Sequence, residues 1–226
     1  MKISKKNNNK IFKDFSFKKS NLPGDLIYLD MDNLLLLPTG EQTITISEPR
    51  HLNLIDKVLQ DPQRIVAIIP TYNKKFISDI GCAGKIVSFN EHSDGYYVVT
   101  VVGVCRFHID ILTSSNHMNN TVTPIWFDFL DDLDLVSQKI NNRNDLNDLV
   151  YDYLNIYKES DIPDFSGIQE ISDTQMLSLL ASKISYDTNN QEQLIRAKNL
   201  TDISKVFQNI MELQVAEHES KVNIKH

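Results

Sequence analysis

Cysteine is scarce in this chain: only Cys82 and Cys105 occur in 226 residues, both in apolar stretches. That argues against a disulfide framework and for free buried thiols in a reducing cytoplasm. No stretch approaches the ~20 apolar residues of a membrane span, and the first residues hold no run fit for a signal peptide. Arginine is missing from residues 1–20, which argues against a mitochondrial presequence. The seven glycines complete no phosphate loop. Gly84-Lys85 is followed by Ile86, and Asp79 stands where the first glycine of Gly-x4-Gly-Lys-[Ser/Thr] belongs. The six histidines include no His-Glu-x-x-His, and there is no Cys-x-x-Cys. A Gly-x-Ser-x-Gly elbow is missing too, although a Ser-His-Asp set assembled in space leaves no trace in sequence. No catalytic residue, cofactor or metal is therefore expected.

What is there begins with charge. The net charge is −7, but residues 1–20 carry seven lysines against one acid, Asp14, so the arm holds +6 and the remainder −13. A cationic arm on an acidic body can meet nucleic acid or anionic lipid, and it also reads as a frayed, solubilising terminus. The apolar fraction of 41% suffices for a core.

The chain changes character near residue 130. Ahead of it, Leu26 to Leu29, Leu34 to Leu37 and Ile65 to Ile69 read as buried strands, and Thr43 to Ile46 as a half-buried one. Lys85 to Phe89 and Tyr96 to Val102 flank an Asp94-Gly95 turn; Gly103, a bulge or bend, precedes a further strand over Val104 to Leu112. One helix starts at Ser47-Glu48-Pro49-Arg50, carries Leu52, Ile55, Val58 and Leu59 on one face, and ends at Asp61-Pro62. Behind residue 130 the apolar period is helical. Leu146, Leu149, Val150, Tyr153, Leu154 and Tyr157 form one stripe, and Ser172 with Gln175 a capping box. Asn189-Asn190 and Thr201 read as caps of two further helices, and Ser160 to Gly167 as a loop. The division is a basic arm at 1–22, a β-rich lobe at 23–128, a helical lobe at 129–219 and a tail at 220–226: an α+β chain.

Two stretches carry a resemblance. Leu37-Pro38-Thr39-Gly40 is followed by Ile44-Thr45-Ile46-Ser47-Glu48-Pro49-Arg50, and Gly81 with Gly84-Lys85-Ile86 by Asp94-Gly95 and then Gly103-Val104-Cys105-Arg106-Phe107. In order and interval this is similar to the substrate-binding domain of Lon proteases, and a weaker likeness runs through Thr123-Pro124 to about Glu219. Ser47 replaces the usual phenylalanine before Glu-Pro-Arg, and His51 the frequent aromatic after it. The resemblance implies a PUA-like β lobe, a pseudo-barrel with one helix, followed by a helical bundle. It also implies a binding role without ATPase or peptidase chemistry.

The motif residues Pro38, Gly40, Glu48, Pro49, Arg50, Gly81, Gly84, Asp94, Gly95, Gly103, Arg106 and Phe107 are expected to be structural. Glu48 suits a helix start, Arg50 can lock the strand-to-helix corner, and Arg106 can bridge the lobes through an acid or meet a ligand carboxylate. The acidic run Asp128, Asp131, Asp132, Asp134 reads as a solvated lobe junction. The expected partners are unfolded or extended polypeptide segments held in an apolar groove between the lobes and at a free strand edge, with a protease or chaperone as a further partner. The role is that of an adaptor or holdase. The rival reading is RNA binding through a PUA-like fold and the lysine arm; the acidic body, with no basic stripe and interleaved aromatics, argues against it.

Overall fold

The structure is a computed structural model that describes residues 17–110, 120–156, 171–184 and 186–223. Among the described residues nine strands precede the helical half: β1 Leu26–Leu29, β2 Glu41–Ile46, β3 Ile65–Ile68, β4 Thr71–Tyr72, β5 Lys75–Phe76, β6 Ile80–Glu91, β7 Tyr97–Ile109, β8 Thr121–Val122 and β9 Pro124–Ile125. The main sheet runs β2-β7-β6-β3-β1-β8, with β9 on β7. Every pairing is antiparallel except β1 with β3. Only Thr123 separates β8 on β1 from β9 on β7, so this short segment bends the sheet round towards closure.

β3 is buried at all four positions, and the alternation explains why. Ile65, Ala67 and Ile69 join a small cluster with Leu26, Tyr28, Ala83, Phe107, Ile109 and Val122. Val66 and Ile68 face the larger core shared with the helices. A strand packed on both faces needs an apolar residue at every position.

Helix α1, Pro49–Gln60, lies between β2 and β3. Its proline sits in the first turn, where the missing N–H costs nothing, and Asp61 ends it. The buried face is His51, Leu54, Ile55 and Val58. The expected stripe is thus rotated: Leu52 and Leu59 are only partly buried, and a histidine takes an inner position. The helical half comprises a 3-10 stretch, Phe127–Ser137, broken at Phe129 and Asp134, and helices α2 Arg143–Ile156, α3 Asp173–Lys183, α4 Thr188–Arg196 and α5 Leu200–Asn223. The Ser172–Gln175 capping box starts α3, and Leu146, Val150 and Tyr153 are buried on α2.

Four expectations need correction. Leu34 to Leu37 is not a strand: Leu35, Leu36 and Leu37 are buried, but the segment crosses the sheet, and isolated bridges are made only by the flanking Asp32, to Thr71, and Pro38, to Gly103. Other groups take its carbonyls, with Gln42 Nε2 donating to Leu35 and Gly40 N–H to Leu37. β7 is one strand through Gly103 instead of two, with the extra residue absorbed as a bulge at Val104. The cap of α4 is Asp187, whose carboxylate accepts from the Asn190 N–H, and Asn199 does the same for the Asp202 N–H ahead of α5. Both acceptors lie two residues earlier than the expected caps. Leu112, Tyr157 and the Ser160–Gly167 loop lie outside the described residues.

Candidate functional site

Of the motif residues, Pro38, Gly40, Gly81, Gly84, Gly103, Arg106 and Phe107 are buried, whereas Glu48, Pro49, Arg50, Asp94 and Gly95 lie at the surface. Phe107 is fully buried in the small cluster, and Gly81 lies opposite it; a Cβ on Gly81 would stand 2.8 Å from the Phe107 ring. On the other face the Leu36–Pro38 segment lies directly over β6 and β7. A Cβ on Gly103 would overlap the Leu37 carbonyl group, and one on Gly84 would come within 2.7 Å of Leu36. Glycine is needed where one backbone crosses another at contact distance. The turn after Pro38 places its positive φ on Thr39, at 63°, while Gly40 donates to the Leu37 carbonyl. Thr39 N–H donates to Gly103 O, and Thr39 Oγ1 lies 2.8 Å from Ser178 Oγ on α3, so the turn also ties the sheet to the helices. Asp94-Gly95 forms the β6–β7 hairpin tip, with Gly95 at φ 82°.

Arg106 is the hub between the two halves. Its side chain is fully buried, as is that of Phe107 beside it. Nε and Nη2 each donate to an oxygen of Asp132 at 2.8 Å, and Nη1 donates to Ile195 O at 3.1 Å and to Ala197 O. The guanidinium lies 4.6 Å from the centre of the Phe129 ring. One planar cation thus ties β7 to the 3-10 stretch and to the end of α4, a geometry that a forked guanidinium meets and an ammonium does not. This corrects the reading of the acidic run as solvated: Asp132 is buried at 4% exposure, whereas Asp128, Asp131 and Asp134 face solvent.

A second tie is exposed. Arg196 Nη2 meets Asp79 at 2.6 Å, and His108 lies 3.4 Å from Asp79 and 3.2 Å from Asp128. Burial pushes the Asp79 carboxyl up, but the Arg196 charge and the hydrogen bonds around it pull it net below the usual carboxylate value.

At the strand-to-helix corner, Glu48 occupies the cap position of α1 without a side-chain cap bond. Arg50 reaches Asp30 at 3.2 Å, and the buried His51 donates its Nε2–H to the same carboxylate at 2.8 Å. Asp30 directly follows β1, so Arg50 and the histidine that replaces an aromatic both pin the helix to that strand. Cys82 and Cys105 are free and buried; burial pushes both thiols up, which keeps them protonated and poor nucleophiles.

The solvent-facing apolar residues lie elsewhere. Phe127 is 79% exposed and Ile125 45%. Trp126 between them turns inward, edge-on to Phe107 at 5.4 Å, and its Nε1 donates to Pro23 O. The anchored tryptophan therefore holds its two neighbours outward, beside the Arg106–Phe129 junction. Among the described residues, that junction is filled by the Arg106, Asp132 and Phe129 side chains. The β4–β5 hairpin also exposes apolar side chains, with Tyr72 52% and Phe76 37% exposed; Phe89, Tyr151 and Leu213 are exposed singly on other elements. Sequence reasoning singled out none of Ile125, Phe127, Tyr72 and Phe76. Tyr72-Asn73-Lys74 was the available signal, since asparagine tolerates the left-handed turn.

Comparison with known proteins gives one family. The family of the ATP-dependent protease La (Lon) substrate-binding domain matches residues 26–224. Among solved structures, the chain is similar to a Lon N-terminal domain protein from Xanthomonas campestris, at 13% identity and a TM-score of 0.53 over 80% of this chain and 95% of that one. It is also similar to the N-terminal domain of a Mycobacterium avium complex Lon protease, at 12% identity and a TM-score of 0.55 over 83% and 98%. No curated protein matches. The RNA-binding alternative finds no support in these likenesses.

Proposed function

Because the chain belongs to the substrate-binding domain family of ATP-dependent protease La (Lon), we propose that it is a non-catalytic module that captures unfolded or extended polypeptide segments. The observation that carries the reading is the outward pair Ile125 and Phe127, 45% and 79% exposed on a base fixed by Trp126 and β9. A large aromatic left in water is worth about 2 kcal/mol when a partner covers it, and a held side chain loses little entropy in doing so. Two such residues contribute about 4 kcal/mol together, which suits weak capture, micromolar or poorer, of apolar segments without demanding one sequence.

The motif residues serve this role indirectly. They lock the sheet, the crossing segment and the helices into one rigid platform, so the exposed residues are presented in a fixed arrangement. An adaptor that hands clients to an ATPase and a peptidase, or a holdase that shields them, both need such a platform and no bond-breaking group.

The test uses fluorescence anisotropy with a labelled, permanently unfolded probe, reduced and carboxymethylated α-lactalbumin. The parent binds it, and Phe127→Ser combined with Ile125→Ser weakens binding by about tenfold or more. Both positions are exposed, so circular dichroism stays unchanged. Unaltered affinity in the double variant sinks the assignment of this surface.

A further inference from the structure

We propose, resting on the polypeptide-recognition reading, that the β4–β5 hairpin selects segments in which apolar residues are flanked by carboxylates. The hairpin is a small, fixed projection. Asn73 and Lys74 both adopt left-handed φ, 51° and 60°, and form its two-residue turn. Asp32 pins the turn by accepting from Thr71 Oγ1 at 2.9 Å and from the Lys74 N–H at 3.1 Å. The Asn33 N–H donates to Thr71 O, and the Ile77 N–H to Pro70 O, closing the base. Phe76 stands edge-on to the buried Tyr28, ring centres 5.7 Å apart.

Tyr72 and Lys75 are cross-strand partners and therefore project to the same side. Tyr72 is 52% exposed, and Lys74 and Lys75 face solvent. Among the described residues neither ammonium is held in an ion pair. With Lys75 on the Tyr72 side of the hairpin and Lys74 at its turn, where its charge also acts on Asp32, the projection offers an apolar ring face and an anion site. An extended segment alternating aromatic or aliphatic residues with Asp or Glu fits both.

The body charge makes this selective and testable. Without residues 1–20 the chain carries −13, so its general field favours cationic probes. In the full chain a preference for anionic segments must then come from a local cationic feature, either the hairpin or the lysine arm, and the hairpin variants separate the two.

The experiment uses the full chain and two labelled peptides of equal length, one alternating phenylalanine with glutamate and one phenylalanine with lysine, both interrupted by glycine. Anisotropy titration is expected to show the glutamate peptide bound about fivefold tighter at low salt, the preference fading as salt rises. Lys74→Glu with Lys75→Glu reverses the order. Lys74→Ser with Lys75→Ser abolishes the preference without adding charge beside Asp32. Both variants keep the lysine arm, so reversal cannot arise there. Equal binding of the two peptides, or a glutamate preference unmoved by either variant, overturns the hairpin proposal while capture itself stands. Binding of neither peptide overturns the hairpin proposal and the polypeptide-recognition reading together.

Discussion

Consider Arg106→Met. Methionine fills much of the same space but leaves the Asp132 carboxylate buried, with the arginine Nε and Nη2 bonds gone. The Asp132 side chain is 3% exposed, so solvent does not readily replace them. Removing one partner of a buried pair costs about 3–5 kcal/mol. The carbonyls of Ile195 and Ala197 lose their Nη1 donor as well, at about 1 kcal/mol each. Packing by the methionine and local relaxation offset part of this, so the net loss is about 4 kcal/mol. That is a large share of the roughly 10 kcal/mol that holds a typical domain.

Urea denaturation followed by circular dichroism reads the effect. With a slope of about 2 kcal/mol/M, the midpoint falls by about 2 M. Arg106→Lys keeps the charge but cannot serve both carboxylate oxygens and two carbonyls, and should lose about half as much. Adding Asp132→Leu to Arg106→Met removes the buried charge, which keeps only the residue-106 N–H as donor, and should recover more than about 1 kcal/mol despite losing that bond. A loss under about 1 kcal/mol for Arg106→Met, or a double variant as unstable as the sum of the singles, would refute the account of this hub.

Three more outcomes follow from the geometry. Gly103→Ala places a methyl into the Leu37 carbonyl, and because backbone must yield, it should cost about 3 kcal/mol in the same urea assay, whereas alanine at Gly24, where nothing lies within 4 Å, should be near neutral. Cys82 and Cys105 should resist a thiol reagent at mild alkaline pH until the chain unfolds, and rapid labelling of native protein would contradict their burial. The Asp32 carboxyl is held below its usual value by the Lys74 backbone bond first and the Thr71 hydroxyl next; its contribution is present above about pH 4 and lost as pH falls through the depressed value, so the difference in thermal midpoint between the parent and Asp32→Asn should shrink below about pH 4.

Much of the β lobe was legible because its signals are local. β1 matches the apolar run Leu26–Leu29, the Asp94-Gly95 turn declares the long hairpin, and the Ser172–Gln175 box marks α3. What failed depends on tertiary context. Leu34 to Leu37 has a strand's composition, but its carbonyls bond to Gln42 and Gly40 as it crosses β7. His51 sits on the buried face of α1 because Asp30 receives its ring, a partner twenty-one residues away that no helical period announces. In the run Asp128 to Asp134 nothing local distinguishes Asp132 from its neighbours. Only the distant Arg106 pulls it inside. The exposed residues were least legible, since exposure of Phe127 follows from Trp126 turning inward to Phe107 and Pro23.

The buried motif positions belong to the frame of this chain. Gly81, Gly84, Gly103, Arg106 and Phe107 all lie inside, where a single added atom or lost charge acts on the packing of two layers at once. Ile125, Phe127, Tyr72 and Phe76 are partly or largely exposed, so substituting them should disturb that frame far less. A chain with 12–13% identity to two Lon N-terminal domains can therefore keep their fold while presenting a different surface. If so, exchanging the Tyr72–Phe76 hairpin for a glycine-rich turn should leave the unfolding midpoint within about 1 kcal/mol of the parent while changing which segments are captured. A collapse of stability on that exchange would mean the hairpin belongs to the frame, and the division drawn here between frame and surface would fail.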